Sequence, residues 1–330
     1  METNSTTAAI LVSHGSPRGE ANRQFEEKIA RVAARLEGMT AVPAFFSMAE
    51  PTIADRIAEF SEAGIERALV VPYFLHNGQH VRVDIPEQLA QCRQEHPEME
   101  IELRPTLQDE SALEDVLVQR LAEHMPVPAE EIQSGSAIES KSHGIIDRRL
   151  EGRDLDEGAR AIIRRVIHAT ADFSFADTMR IHPEAVRRGT DALRSGGPVI
   201  CDVNMLRSGV TRVDCEVLCA IGDEEVARRA KETGTTRSAM AMEKLSEHFD
   251  GAVVAIGNAP TALWQVMKIA GSGGPRPALV VGVPVGFVGA LESKLALLNS
   301  DLCYVTNAGN RGGTPVAAAA VNALAKYSVA

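Results

Sequence analysis

The length of 330 residues predicts about two domains at roughly 150 residues each, and 45% apolar residues allow each domain an ordinary core. A formal net charge of −11 without a long Lys/Arg run disfavours a nucleic-acid partner and an anionic membrane surface. Five scattered cysteines without a CxxC pair, a polar start unlike a signal peptide and no apolar run of membrane length together predict a cytoplasmic protein.

The first part of the chain alternates strand and helix patterns. Short apolar runs, each followed by helical periodicity, predict four strands at 8–13, 42–47, 67–74 and 99–104. This alternation predicts a doubly wound α/β fold with a parallel sheet covered on both faces. Ligands of such sheets bind beyond the carboxyl ends of the strands. His14 follows the first strand, and His76 and His80 follow the third, so all three are candidates for one rim.

A linker is predicted at residues 126–137, where prolines, glutamates and small polar residues interrupt the alternation. The domains are therefore expected at 1–125 and 138–330. The second domain begins a new α/β alternation, and a predicted helix at 155–169 carries His168 near its end. Buried strands are predicted there at 198–203, 252–256, 278–283 and 302–306.

The first candidate site consists of His14 and His80. A lone histidine at a strand end is explained by a hydrogen bond to the following loop, but two at one sheet edge favour metal handling. Imidazole binds cobalt, nickel, iron and zinc. An enzyme that inserts a metal into a tetrapyrrole needs few, weakly holding ligands and bases that accept the pyrrole protons. Neutral histidines can supply both functions.

These motifs resemble the small sirohydrochlorin cobaltochelatase family. The similar segments are LVSHGS at 11–16 and VPYFLHNGQHVRVDIP at 71–86, and the resemblance extends over about Ala8 to Glu123. It implies a chelatase-type doubly wound sheet, with His14 and His80 as the catalytic, metal-handling pair. It also implies a homodimer, because small chelatases pair two such domains around the tetrapyrrole. The role of His76 stays open.

The second candidate site is centred on His168. Arg160, Arg164 and Arg165 precede it on the predicted helix, and a solvated basic face is the simpler interpretation of these residues alone. Glycine-rich turns follow two later strands, and such turns offer backbone N–H groups to anions and let a flat ligand approach the main chain. The lack of a GxGxxG turn after a strand and of a P-loop disfavours a nucleotide-dependent enzyme.

Four segments together resemble the precorrin-8X methylmutase family from about Ile138 onwards. They are SHGII at 142–146, RVIHA at 165–169, GVPVGFVGALESK at 282–294 and NRGGT at 310–314. The resemblance implies migration of a methyl group from C-11 to C-12 of a corrin macrocycle to give a cobyrinic acid. It also implies a dimer that binds its substrate near the subunit interface. His168 matches the essential histidine of that family.

The chemistry of this reaction indicates roles for the polar residues. A histidinium at His168 would act as an acid that draws electron density from the ring as the methyl group migrates. The many carboxylates of the substrate would pair with arginines in bidentate geometry, and hydroxyl groups would donate further hydrogen bonds. The candidates for substrate binding are Ser142, Arg207, Thr211, Arg237 and Arg311, with Arg212 as a further arginine.

The sequence therefore predicts a fused enzyme of cobalamin biosynthesis with two α/β domains. Its substrates would be sirohydrochlorin with cobalt(II) at the first site and (cobalt-)precorrin-8 at the second, without an organic cofactor. Iron or nickel stays open as the metal of the first site, because two histidines do not distinguish these ions. A non-catalytic module that binds cobalt or a tetrapyrrole is the other alternative, and multiple-turnover insertion separates it from a chelatase.

Overall fold

The computed structural model describes residues 6–36, 38–108, 110–122, 124 and 134–329. The chain divides into two compact units, Met1–Arg120 and Leu121–Ala330. Most of the predicted linker lies outside the described residues, and its last residues begin a helix that is capped by Ser134. In the described ranges no helix has the length and apolarity needed to cross a bilayer.

The N-terminal unit is a parallel α/β sheet. Its described elements are β1 (Thr7–Ser13), α1 (Gly19–Ala33), β2 (Thr40–Phe45), α2 (Ile53–Glu62), β3 (Arg67–Pro72), α3 (Ile85–Glu95), β4 (Glu100–Leu103) and α4 (Ser111–Ala122). A π-helical turn, His80–Asp84, leads directly into α3. The strand order is β2-β1-β3-β4, and all neighbours run parallel. The predicted doubly wound sheet is confirmed for this unit.

Local sequence chemistry explains why α2 begins where it does. Thr52 caps the helix, since its hydroxyl accepts from the Asp55 N–H at 3.2 Å while the Asp55 carboxylate accepts from the Thr52 N–H at 2.7 Å. Ile53 and Ile57 follow at helical spacing and are fully buried against the sheet. The cap therefore fixes the face that α2 turns to the core.

The loop after β1 holds His14 through contacts with the loop after β2. The Phe46 N–H donates to the Ser13 carbonyl at 2.8 Å, and the Ser47 N–H donates to the His14 carbonyl at 3.0 Å. Gly15 makes this approach possible, because it has a φ of +85° and a Cβ there would lie 1.9 Å from the Ser47 oxygen. A side chain at position 15 would therefore displace the backbone next to His14.

The C-terminal unit is a larger mixed sheet between helices. Its described elements are α5 (Gly135–Arg149), α6 (Glu157–Thr170), α7 (Phe175–Thr178), β5 (Met179–Ile181), α8 (Ala185–Arg194), β6 (Val199–Cys201), α9 (Asn204–Gly209), β7 (Val217–Leu218), α10 (Glu224–Thr233), α11 (Arg237–Lys244), β8 (Val253–Ile256), α12 (Pro260–Gly271), β9 (Leu279–Gly282), α13 (Ala290–Leu298), β10 (Tyr304–Asn307) and α14 (Thr314–Val329). The strand order is β5-β10-β9-β8-β6-β7, with β5 antiparallel to β10 and the other pairs parallel.

The four predicted buried strands correspond to β6, β8, β9 and β10, with slightly different ends. The structure adds β5 and β7, which are too short to leave a periodic pattern. It also adds α5, where glycine, serine and lysine among the apolar residues weaken the helical pattern. The mixed α/β class predicted for the second domain is confirmed.

Helix α14 packs along α6 in the core of the C-terminal unit. Ala317 and Ala320 on α14 are fully buried, and small side chains allow two helix backbones to approach closely. Ile162 and Val166 on α6 are also almost fully buried in the same apolar cluster. This packing holds the helix that carries His168 in a fixed position on the sheet.

We predict that Gly15→Ala destabilises the N-terminal unit more than Gly64→Ala. Gly64 also has a positive φ, +73°, but nothing lies within 4 Å of a Cβ built there. Gly64→Ala should cost about 1 kcal/mol for its left-handed backbone. Gly15→Ala should cost roughly 1–3 kcal/mol more, because of the clash with Ser47. Hydrogen–deuterium exchange of the β1 amides in the full chain measures both, and equal losses of protection would contradict the clash.

Candidate active sites

His14 and His80 lie side by side in the N-terminal unit. The centroids of their rings are 5.1 Å apart, and the rings meet edge to face. Phe46 adjoins both, with its ring centroid 4.8 Å from that of His80 and 6.0 Å from that of His14. The loop after β1 and the π-helical turn before α3 thus bring together the two histidines that the sequence analysis selected.

The Nδ1 atoms of both histidines face protein oxygens. His80 Nδ1 is 2.6 Å from Asp84 Oδ2, and His14 Nδ1 is 3.3 Å from the carbonyl oxygen of Gly15. Nδ1–H donation to these oxygens leaves each Nε2 with a lone pair for a metal. The sequence motif gives Asp84 no role, although its position four residues after His80 on a helical turn indicates such a contact.

His76 is exposed in the loop between β3 and the π-helical turn. The Asn77 amide in the same loop is held by Gln108, whose side-chain oxygen accepts its N–H at 2.8 Å. Across the residues that the structure describes, His, Cys, Asp and Glu form no group of three or more that could hold a metal ion. His14 and His80 are therefore the two imidazoles that the structure brings together at this edge of the sheet.

Ser142 and His168 form the second site, where α5 and α6 lie side by side. Ser142 Oγ is 2.8 Å from His168 Nδ1. The two residues line a cavity of about 340 Å³ whose other walls are mostly apolar, including Ile138, Ile145 and Phe173. The hydroxyl can donate to the neutral ring or accept from the imidazolium, so the contact serves both protonation states. His168 Nε2 has no partner within the described residues.

A second cavity of the C-terminal unit lies beyond the carboxyl ends of the parallel strands. It has a volume of about 360 Å³ and is bordered by Met205, Val285 and Gly312. Gly312 allows the close approach of two loops, since a Cβ there would lie 2.3 Å from the Val283 oxygen. Phe287 and Val288, which follow Val285 closely in the chain, are 83% and 82% exposed. This edge offers a flat apolar ligand both backbone and side-chain contacts.

The loop that carries Arg311 connects the two cavities. Gly312 and Gly313 border the strand-edge cavity. The Arg311 guanidinium donates to Asp172 and Ser174, each at 2.6 Å, just beyond the end of α6. Arg311 is thus held near the helix of His168 by protein groups.

Lys294 supports this loop from inside the core. Its side chain is fully buried, and its Nζ donates to the Arg311 carbonyl at 2.7 Å and faces Asn307 Oδ1 at 3.4 Å. Burial without a carboxylate partner among the described residues lowers the pKa of Lys294 to about 8. This lysine belongs to the motif at 282–294, which alone gives it no role, and only its burial indicates its function.

The remaining predicted substrate-binding residues lie on other elements. Arg207 is exposed on α9, and Arg237 is exposed at the first position of α11. Thr211 is exposed, and its N–H donates to the side-chain oxygen of Asn322 on α14 at 3.0 Å. Within one described chain, Ser142 contacts His168 and Arg311 lies at the end of α6. Arg207, Thr211 and Arg237 make no contact with His168 in that chain.

Comparison with known proteins gives two family matches in one chain. The model of the family described as precorrin-8X methylmutase matches residues 137–327, and the model described as CbiX matches residues 8–124. The precorrin-8X methylmutase of Pseudomonas aeruginosa is 42% identical over 200 residues, which cover 59% of this chain and 96% of that protein. The cobalt-precorrin-8 methylmutase of Leptospira interrogans is 38% identical over 203 residues, covering 58% of this chain and 92% of that protein.

A solved structure agrees with the methylmutase match. The precorrin-8x methyl mutase of Thermus thermophilus is similar with a TM-score of 0.55 and 36% identity, and the match covers 59% of this chain and 96% of that one. The two resemblances that the sequence motifs indicated are therefore confirmed, and they occur together in one chain.

We predict that Lys294 makes a contribution to the stability of the C-terminal unit that rises with pH. Its folded pKa of about 8 lies below the value of about 10.4 in an unfolded chain. Between these values the unfolded state binds more protons, so the contribution of Lys294 to the free energy of unfolding increases by up to about 1.4 kcal/mol per pH unit. Lys294→Met should lower the slope of this free energy against pH, while the opposite contribution of the cysteines whose pKa values burial raises stays the same in both chains. Urea unfolding followed by Trp264 fluorescence from pH 7.5 to 10 measures it.

The matched control is Lys268→Met, which removes an exposed lysine of α12. This variant should keep the pH dependence of the unmodified chain. If the free energy of unfolding changes equally with pH in the unmodified chain and in Lys294→Met, the buried lysine does not titrate in this range.

Proposed function

We propose, because the chain belongs to the precorrin-8X methylmutase family, that its C-terminal domain moves the C-11 methyl group of (cobalt-)precorrin-8 to C-12. The domain boundaries that we propose are 1–125 and 138–330, joined by a linker at 126–137. The observation that carries the proposal is the 2.8 Å contact between Ser142 Oγ and His168 Nδ1 beside a largely apolar cavity. It places a proton donor beside an apolar cavity that can receive one edge of a macrocycle.

His168 acts in this proposal as the acid that polarises the substrate. The contact with Ser142 fixes the ring through Nδ1 and leaves Nε2 for the substrate. Partial transfer of the Nε2 proton to the conjugated ring withdraws electron density while the methyl group migrates. The proton returns to His168 once the methyl group has moved, so the reaction is a net isomerisation.

The proposed complex is a homodimer in the cytoplasm, with substrate at the subunit interface. The exposed apolar edge around Phe287 and Val288 supports a second copy covering the macrocycle. Arg207, Thr211 and Arg237 lie apart from His168 in one chain, and a partner could supply them at the interface. In this complex these side chains, with Ser142 and Arg311, bind the peripheral carboxylates of the tetrapyrrole.

We predict that His168→Ala abolishes isomerisation and leaves metal insertion unchanged. Ser142→Ala should lower kcat about tenfold, because one hydrogen bond that positions the acid is lost. Anaerobic conversion of (cobalt-)precorrin-8, followed by absorbance across a range of pH, measures both variants. Loss of the hydroxyl should also alter the pH profile, which a mere change in folding would leave unaltered.

Ser272→Ala is the control for this pair, since Ser272 caps only the surface end of α12. It should retain full activity. Wild-type activity in His168→Ala would exclude His168 as the acid, and loss of both activities in a folded His168→Ala chain would contradict two separate sites.

For the N-terminal domain we propose insertion of cobalt(II) into sirohydrochlorin. The support is the pair of His14 and His80 with ring centroids 5.1 Å apart and the Asp84 carboxylate on His80 Nδ1. The Nε2 atoms take the incoming ion, and two ligands hold it weakly enough for release to the macrocycle. The histidines then accept the pyrrole protons that the metal replaces.

We predict that His80→Ala abolishes cobalt insertion and that Asp84→Asn lowers it about 10- to 100-fold. The carboxylate fixes the orientation of the His80 ring, and partners of this kind have effects of that size. Anaerobic insertion of cobalt(II) into sirohydrochlorin, followed by absorbance over many turnovers, measures both. Glu87→Gln on α3 is the control and should be fully active.

Two other results define the alternatives for this domain. Turnover with iron or nickel but not with cobalt would make it a chelatase for a different metal. Binding of cobalt or tetrapyrrole without turnover in the folded chain would make it a non-catalytic module.

A further inference from the structure

A third cavity lies in the C-terminal unit, between α5, α6 and α14. Its volume is about 310 Å³, and it shares no lining residue with the cavity of His168 and Ser142. This volume is at the low end for ligand sites, which suits a small group better than a tetrapyrrole. Its cationic lining residues are Arg160, Arg164, Arg165, Arg212 and Lys326.

The cavity is strongly positive in a chain whose formal net charge is −11. Five cationic side chains face only two carboxylates there, those of Glu139 and Glu157. Such a local excess of one charge attracts a ligand of opposite charge despite the acidic surroundings.

Three of the arginines already have protein partners. Arg160 donates to the Leu150 carbonyl at 3.0 Å, Arg164 pairs with Asp147 at 3.1 Å, and Arg165 faces Glu139 at 3.5 Å. By contrast, neither the Arg212 guanidinium nor the Lys326 ammonium has a partner in the part of the chain that the structure describes. These two groups are free to bind a ligand.

His143 supplies a further polar atom without a partner. Its Nε2 is buried and unbonded within the described residues, and the nearest carboxylate oxygen, on Glu139, is 3.9 Å away. A buried polar atom of this kind is unfavourable unless a ligand or water bonds to it. Burial lowers the pKa of His143, and the charge of Arg164 lowers it further.

We propose that this cavity binds an oxyanion, a carboxylate or phosphate group, between Arg212 and Lys326 with His143 Nε2 as a third partner. The two cations supply charge-assisted hydrogen bonds, and the neutral imidazole donates from Nε2. The anion comes from one of two sources. It is a peripheral carboxylate of the tetrapyrrole, which rests on the proposed function, or a free anion such as inorganic phosphate.

His143 links this cavity to the site that contains His168. The rings of His143 and His168 meet edge to face, with centroids 5.2 Å apart. The charged and titratable groups that face His143 are Glu139 on its own helix, Arg164 and His168 on α6, and Lys326 on α14. A bound oxyanion offsets the positive charges in this set, so it raises the pKa of His143.

The test is a titration of the full chain with inorganic phosphate at constant ionic strength. The NMR signal of the His143 ring, assigned by its loss in His143→Gln, should shift saturably, and its pKa should rise. In the double variant Arg212→Gln/Lys326→Gln the apparent Kd for phosphate should increase at least tenfold, because two ionic partners are removed. Both residues are exposed, so folding should be retained, and circular dichroism checks this.

Arg228→Gln/Lys231→Gln is the matched control. It removes the same number of positive charges from α10, which does not line the cavity. This variant should bind phosphate as the unmodified chain does. An absent or unsaturable shift of His143 overturns the proposal, as does an equal Kd in the Arg212→Gln/Lys326→Gln variant and the control.

Kinetics then identify the source of the anion. If a substrate carboxylate occupies the cavity, phosphate competes with the tetrapyrrole, and Arg212→Gln/Lys326→Gln raises KM about tenfold with little change in kcat. If the ligand is a free anion, phosphate does not compete and the KM of the variant is unchanged. Either result supports the oxyanion site. A chain without isomerase activity would refute the proposed function, whereas the phosphate titration would still decide this proposal.

Discussion

The packing of α14 along α6 is the contact on which the C-terminal unit depends. The buried alanines of α14 let the two backbones approach closely, so α6 cannot shift without opening the apolar core. One face of α6 borders the cavity that contains Ser142 and His168, and an adjacent face borders the cationic cavity. Both sites therefore take their geometry from one rigid helix, which is how a positioned acid retains its orientation.

A buried charge maintains the loop at the end of this helix. Ionised lysine is unfavourable in an apolar core, and Lys294 is retained there by a carbonyl and an amide oxygen. The same loop reaches Asp172 and Ser174 through the exposed Arg311 side chain. Because an exposed ion pair contributes little by itself, the buried lysine is the stronger constraint on the loop.

Sequence patterns predicted the parts of the fold that depend on periodic burial. The strands around Ile10, Val254 and Val280 are buried on both faces and were identifiable as apolar runs. The short β5 and β7 strands were not, because pairing with their neighbours in the sheet defines them rather than any pattern of their own. Helix α5 was missed for a related reason, since its contact with α6 stabilises it more than its weak periodicity suggests.

Sequence motifs predicted the central residues of both candidate sites but not the neighbours of these residues. The motifs selected the pairs His14–His80 and Ser142–His168, which the structure places in contact. The neighbours of these pairs, Asp84 and His143, lie in the same motifs, which assign them no function. Their contacts depend on distances across a turn or between helices, which a linear pattern does not contain. Within one described chain neither Arg207 nor Arg237 contacts His168. Their assignment to substrate binding therefore depends on the proposed partner subunit.

The two histidine pairs have different environments, and the difference fits the two chemistries proposed. His80 is half exposed and carries a carboxylate on Nδ1, which makes its other nitrogen a better donor to a cation. His168 has a neutral hydroxyl at Nδ1, which can donate to the neutral ring or accept from the imidazolium. The first environment suits a metal ligand, and the second suits a group that gives a proton and takes it back. Exchanging Asp84 and Ser142 between the sites would therefore weaken both functions.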